Sequence, residues 1–139
     1  MLLKKLTLLT VLISLAPYAG AQIAGETQPP FVSGGIGEDS AAEIARISKG
    51  YGLKLLFASV DGHYLANVAV QIKDKNGNIA LKATSEGPFF LVNLAPGKYE
   101  VTATYGGITQ AGAVTLQTGK PREIVFRWID ATSMQIPGT

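Results

Sequence analysis

The chain contains one histidine, so any catalysis that needs an imidazole must run through His63. It lies in Ser59-Val60-Asp61-Gly62-His63-Tyr64, a stretch that holds the three residue types of a serine hydrolase within five positions. A nucleophilic serine needs its hydroxyl on one imidazole nitrogen and an acid on the other, an arrangement that sequence adjacency does not supply. Asp61-Gly62 is also a turn signal between two strands, which makes a solvated loop histidine the simpler expectation. Asp61 and His63 offer two metal ligands, but a closed site needs three or four, and no second histidine can join them. The expectation is no catalytic residue and no metal site, with a small hydrolase using His63 as the remote alternative.

Two other stretches invite a chemical reading and fall short of it. Asp74-Lys75-Asn76-Gly77-Asn78 resembles an acidic calcium loop, yet its glycine comes two positions early and position 12 is Ser85, not a bidentate glutamate. Asn76-Gly77 instead reads as a type I′ hairpin. Ser33-Gly34-Gly35-Ile36-Gly37 precedes a helical pattern but lacks the lysine and hydroxyl of a phosphate loop and the last glycine of a dinucleotide fingerprint. No cofactor is expected. Glu38 and Asp39 suit a helix N-terminus, and Glu100 and Glu123 fall on outward strand positions. Most aromatic residues occupy inward positions, where packing accounts for them. Phe31, Tyr64, Phe89 and Phe90 are less easily turned inward, and they are the candidates for a contact surface.

The elements that would position these residues begin after a leader. Residues 1–21 carry Lys4 and Lys5, an apolar run from Leu6 to Ala16, and Ala19-Gly20-Ala21. That order describes a secretory signal peptide cut after Ala21, its sites being Ala19 and Ala21. The apolar run is too short to span a bilayer, so no transmembrane anchor is expected after cleavage, and the expected location is periplasmic or secreted. Removing residues 1–21 from 139 leaves 118, enough for one domain with its own core. With Lys4 and Lys5 gone, the ten remaining cations balance ten acids, so a nucleic-acid surface is not expected. The chain has no cysteine, so such a domain rests on packing alone.

Residues 22–37, rich in Gly, Pro and small polar residues, read as a flexible leader. Residues 38–50 read as a short amphipathic helix over 41–49. Ser40 and Glu43 form a capping box, Ala41, Ile44 and Ile47 share one face, and Gly50 or Gly52 supplies the stop. From residue 52 to 128 the pattern has period two. Leu53, Leu55 and Phe57, then Val68, Val70 and Ile72, then Ile79, Leu81 and Ala83 mark inward faces. The run Phe89 to Asn93, the set Tyr99, Val101, Ala103 and Tyr105, the run Ile108 to Gln117, and Ile124, Phe126 and Trp128 continue it. Residues 129–139 read as a tail. Short strands separated by turns, with no helix between them, predict two antiparallel sheets packed face to face.

Three segments then carry a likeness. Tyr64-Leu65-Ala66-Asn67-Val68-Ala69-Val70-Gln71-Ile72, Thr84-Ser85-Glu86-Gly87-Pro88-Phe89 and Asn93-Leu94-Ala95-Pro96-Gly97-Lys98-Tyr99-Glu100-Val101 resemble the carboxypeptidase regulatory-like domain. The most specific part is Asn93, Leu94, Pro96, Gly97, Tyr99 and Val101, and the likeness runs from about 60 to 128. It implies a seven-stranded transthyretin-like β-sandwich and a non-catalytic role as a binding module. The expected partner is a protein or carbohydrate of the cell envelope. The alternative is a structural component of an envelope assembly that works by strand pairing.

Overall fold

The computed structural model describes residues 28–129. The expected signal peptide with Ala19 and Ala21, the expected leader up to residue 27 and the expected tail from 130 onward lie outside the described residues. Eight strands and one helix follow in order: β1 (Phe31–Gly34), α1 (Glu38–Ile47), β2 (Leu53–Ser59), β3 (Val68–Asp74), β4 (Ile79–Ser85), β5 (Phe89–Val92), β6 (Gly97–Tyr105), β7 (Ile108–Leu116) and β8 (Arg122–Trp128). They form two four-stranded sheets, ordered β1-β5-β2-β8 and β4-β3-β6-β7, packed as a β-sandwich. Among the described residues no helix is long and apolar enough to cross a membrane.

The period-two pattern becomes the core. Leu53, Leu55, Phe57, Val68, Val70, Ile72, Leu81, Val101, Ala103, Phe126 and Trp128 are buried together between the layers. Tyr99, Tyr105, Val114 and Ile124 pack against them from the margins. Each large apolar side chain withdrawn from water contributes on the order of 2 kcal/mol, which lets a chain without disulfides hold two sheets together.

Several expectations change. Among the described residues there are eight strands, not seven, because residues 31–34 of the supposed leader pair antiparallel with β5. Phe31 stacks on Phe90 with centroids 4.9 Å apart, and Gly35, at φ 101°, lets the chain pass against the Phe89 ring. These tertiary contacts fix a strand too short to show a period. The sheets are not wholly antiparallel either, since β2 and β8 run parallel. The Gly119 turn crosses from one layer to the other at the end where β2 begins, so both strands leave that end in one direction.

α1 starts at Glu38 with Gly37 as its N-cap, and no side chain caps it. The capping box is not formed: Ser40 Oγ accepts the Gly35 N–H at 2.9 Å, while Glu43 pairs with Arg46. Ser40 serves the β1 exit because the backbone ahead of the helix is held by β5. Neither Gly50 nor Gly52 has positive φ; the helix runs into a 3-10 turn at Ser48–Gly50. The β3–β4 hairpin is not type I′, since Gly77 has positive φ and Asn76 does not. Asp74 Oδ1 instead accepts the N–H groups of Asn76 and Asn78, and a bulge follows between Ile72 and Lys73. That bulge sets Lys73 opposite Ile79 and leaves Ile79 exposed, not inward.

Candidate functional site

Ser59, Asp61 and His63 do come together, in the loop that closes β2. Ser59 is the last residue of β2 and is fully buried. Its Oγ donates to the Asp61 carboxylate and accepts the His63 N–H at 3.0 Å. The other carboxylate oxygen, Oδ2, meets His63 Nδ1 at 2.9 Å, and the imidazole is otherwise in solvent. The acid therefore sits between hydroxyl and imidazole, whereas a triad requires the imidazole in the middle. Bonding to Ser59 holds the Asp61 carboxyl below the usual carboxylate range, and His63 adds to that effect. The cluster ties a tight loop.

Asp74 behaves similarly: its carboxylate is occupied by two backbone donors of its own turn. Among the described residues, no group of three or more His, Cys, Asp or Glu side chains converges.

The aromatic candidates separate. Phe90 is fully buried, so it leaves the contact surface; its register opposite Leu55 on β2 turns it into the core. Phe31 is partly exposed beside it. On the opposite face of the same sheet, Tyr64 is 62% exposed and leans on the half-buried Phe89, with ring centroids 5.7 Å apart. Lys54 Nζ lies 5.1 Å from the Phe89 centroid and 3.5 Å from Glu123. This is a small aromatic spot with its cation already partnered.

A concavity lies at the end of the sandwich where β2 begins. It measures about 500 Å³, within the range of small-molecule clefts. Three separate segments build it: residues 49–52, residues 93–96 and residues 116–121. Asn93 joins two of them, accepting the Gly52 N–H at 2.7 Å on Oδ1 and donating Nδ2 to the Gly50 C=O at 3.0 Å. The Arg122 N–H bonds to the Gly52 C=O at 2.9 Å and brings the third into place. Tyr99 OH donates to the Ala95 C=O at 2.7 Å and fixes the turn that carries Leu94 and Pro96.

Asn93, Leu94 and Pro96 thus meet Tyr51, Lys49 and Lys120 in one cleft. Gly97 and Tyr99 stand behind it, and Val101 lies in the core. The lining contains both lysines and no carboxylate, beside an aromatic ring and the apolar edges of Leu94 and Pro96. Such a set can hold an anionic group by its cations and an apolar ring face beside it. Sequence reading singled out the Asn93 turn as scaffold and missed Lys49, Tyr51 and Lys120. Their only local signal is their position next to glycine turns, at Gly50, Gly52 and Gly119. No family model matches the chain, and no curated protein is similar to it in sequence.

Proposed function

We propose that this chain is an exported, non-catalytic binding module of the carboxypeptidase regulatory-like kind, and that its ligand is an acidic carbohydrate held in the end cleft. The observation that carries the reading is the joining of the Asn93 turn to Lys49 and Lys120 around one concavity of about 500 Å³. Saccharide recognition uses amide and ammonium donors for hydroxyl and carboxylate groups, with an aromatic or apolar surface for the ring face. Lys49, Lys120 and Gln117 supply the first kind of contact, and Tyr51 with Leu94 and Pro96 the second. Two lysines without a neighbouring carboxylate favour a uronate over a neutral sugar.

The hydrolase alternative has less support, because the Ser59 hydroxyl is engaged by Asp61 and the loop backbone and does not face the imidazole. Export rests on the pattern of residues 1–21 alone.

The test is an amide NMR titration of the chain lacking residues 1–21 with an oligogalacturonate and, separately, with an N-acetylglucosamine oligomer. Shifts at Gly52, Leu94, Thr118 and Lys120 with the uronate, weakened in a Lys49→Ala/Lys120→Ala variant, are expected. Shifts confined to other surfaces, or none with either saccharide, overturn the assignment of the cleft.

A further inference from the structure

The four sheet edges are not treated alike. On β4, the outward N–H of Lys82 is taken by Gln28 Oε1 at 2.8 Å, and the N–H of Glu86 just beyond is taken by Ser33 Oγ at 3.1 Å. β1 is only four residues long. β8 carries Arg122, Glu123 and Arg127 along its length, and Gln110 Nε2 donates to the Arg127 C=O. Short strands, charges and side-chain caps are the usual protection of an exposed edge.

Among the described residues, the outward backbone groups of β7 have none of these. It is nine residues long, and no charge or proline occurs from Ile108 to Gln117. The turn Gly106-Gly107, with φ of 56° and 79°, closes the β6–β7 hairpin on the pair Tyr105 and Ile108. Counting from that pair, Ile108, Gln110, Gly112, Val114 and Leu116 bond to β6, while Thr109, Ala111, Ala113 and Thr115 direct their backbone groups outward. Among the described residues, no hydrogen-bond partner outside the strand meets the outward backbone groups of those four; the Thr109 hydroxyl pairs with that of Thr104 on β6. β8 reaches β7 from the other layer, through Trp128 Nε1 to the Ile108 C=O at 3.0 Å and through Ile124 and Phe126 under Gly112.

The four outward residues are arranged symmetrically. The sequence Thr109-Gln110-Ala111-Gly112-Ala113-Val114-Thr115 reads almost the same in both directions about Gly112. We propose that β7 pairs antiparallel with β7 of a second copy of this chain, about a two-fold axis through Gly112. In that register Thr109 lies opposite Thr115 of the partner subunit, and Ala111 lies opposite Ala113 of the partner subunit. Both are pairs of residues whose free N–H and C=O groups point at each other, so the parity of the hydrogen bonds is satisfied. A two-fold interface must be self-complementary, and this edge meets that demand with like pairs and no opposed charges. The pairing joins the sheet β4-β3-β6-β7 to its copy as one continuous sheet.

The experiment is sedimentation equilibrium of the chain lacking residues 1–21 over a wide concentration range, with amide hydrogen exchange at both extremes. A monomer–dimer equilibrium is expected, with the Ala111 and Ala113 amides exchanging slowly only in the dimer. Replacing both alanines, Ala111→Lys/Ala113→Lys, sets ammonium groups opposite one another and is expected to weaken the dimer about tenfold or more. Thr84→Lys on β4 tests whether added charge alone has this effect, and is expected to leave the dimer unchanged. A strictly monomeric chain overturns the proposal, as does a dimer whose newly protected amides lie outside β7. Circular dichroism of each variant separates lost pairing from lost folding.

Discussion

Asn93 holds Gly52 across 41 residues of chain, its Oδ1 accepting the Gly52 N–H at 2.7 Å. One amide side chain thereby replaces the ladder partner that the first residues of β2 would lack beyond the end of β5. The same amide donates to Gly50, so the entry to β2 and one wall of the cleft depend on a single side chain. Asn93→Ala is expected to lower stability by about 1–2 kcal/mol. Asn93→Asp should cost at least as much, because a carboxylate keeps the Gly52 bond but faces the Gly50 carbonyl without a proton. Chemical denaturation of the two variants checks this, and an Asp variant as stable as the parent would show that the Gly50 bond contributes nothing.

Tyr99 works on the other wall. Its hydroxyl bonds to the Ala95 carbonyl four residues back, and partial burial, with the charge of Asp74 nearby, raises its pKa above the usual tyrosine value. Tyr99→Phe is expected to cost about 1 kcal/mol and to loosen the Leu94–Pro96 turn. The readouts are the melting temperature and the amide exchange rates of Ala95, Gly97 and Lys98. Unchanged exchange there would mean that Pro96 alone sets the turn.

The Asp61 loop predicts a pH effect with a definite sign. Asp61 titrates below its ordinary value chiefly through the Ser59 hydroxyl, so its contribution to stability is complete above the unfolded-state pKa. It is lost as the pH falls through the lower, folded-state value. Ser59→Ala should raise the Asp61 titration midpoint, measured by carboxyl-carbon NMR, more than His63→Ala does. The stability gap between parent and Ser59→Ala should narrow in acid. Equal shifts from the two substitutions would assign the main effect to the imidazole instead.

Gly87 is buried where β5 begins, and a β-carbon there would strike the backbone carbonyl group of Gly34. Gly87 does not have positive φ, so the cost of a methyl group is steric. Gly87→Ala is expected to destabilise by about 2–3 kcal/mol and to lift β1 from β5. Proteolysis cutting selectively near residues 30–36 in the variant is the expected sign. A variant that resists cleavage there would place the relief elsewhere in the sheet.

The alternation of Val68, Val70 and Ile72, of Val101 and Ala103, and of Phe126 and Trp128 was enough to predict a layered β fold with its core. A period of two leaves one face apolar whatever the neighbours are. The Ala41, Ile44 and Ile47 face of α1 was legible for the same reason, at its own period. What the sequence could not carry was information held between distant segments. β1 exists because Phe31 finds Phe90 and because Gly35 and Gly87 admit a close approach. Ser40 caps the β1 exit, not its own helix, because β5 had already fixed that backbone.

The parallel β2–β8 pair follows from which end of the sandwich the Gly119 turn crosses, and local pattern does not encode an end. The cleft belongs to the same class. Lys49, Asn93 and Lys120 are far apart along the chain and ordinary in their local settings, and only the closing of the two sheets sets them around one space. Side-chain periodicity is a local property, so the sequence by itself determined the layers and their buried faces. Adjacency across the chain depends on how the layers close, so only the tertiary structure decided where those surfaces meet.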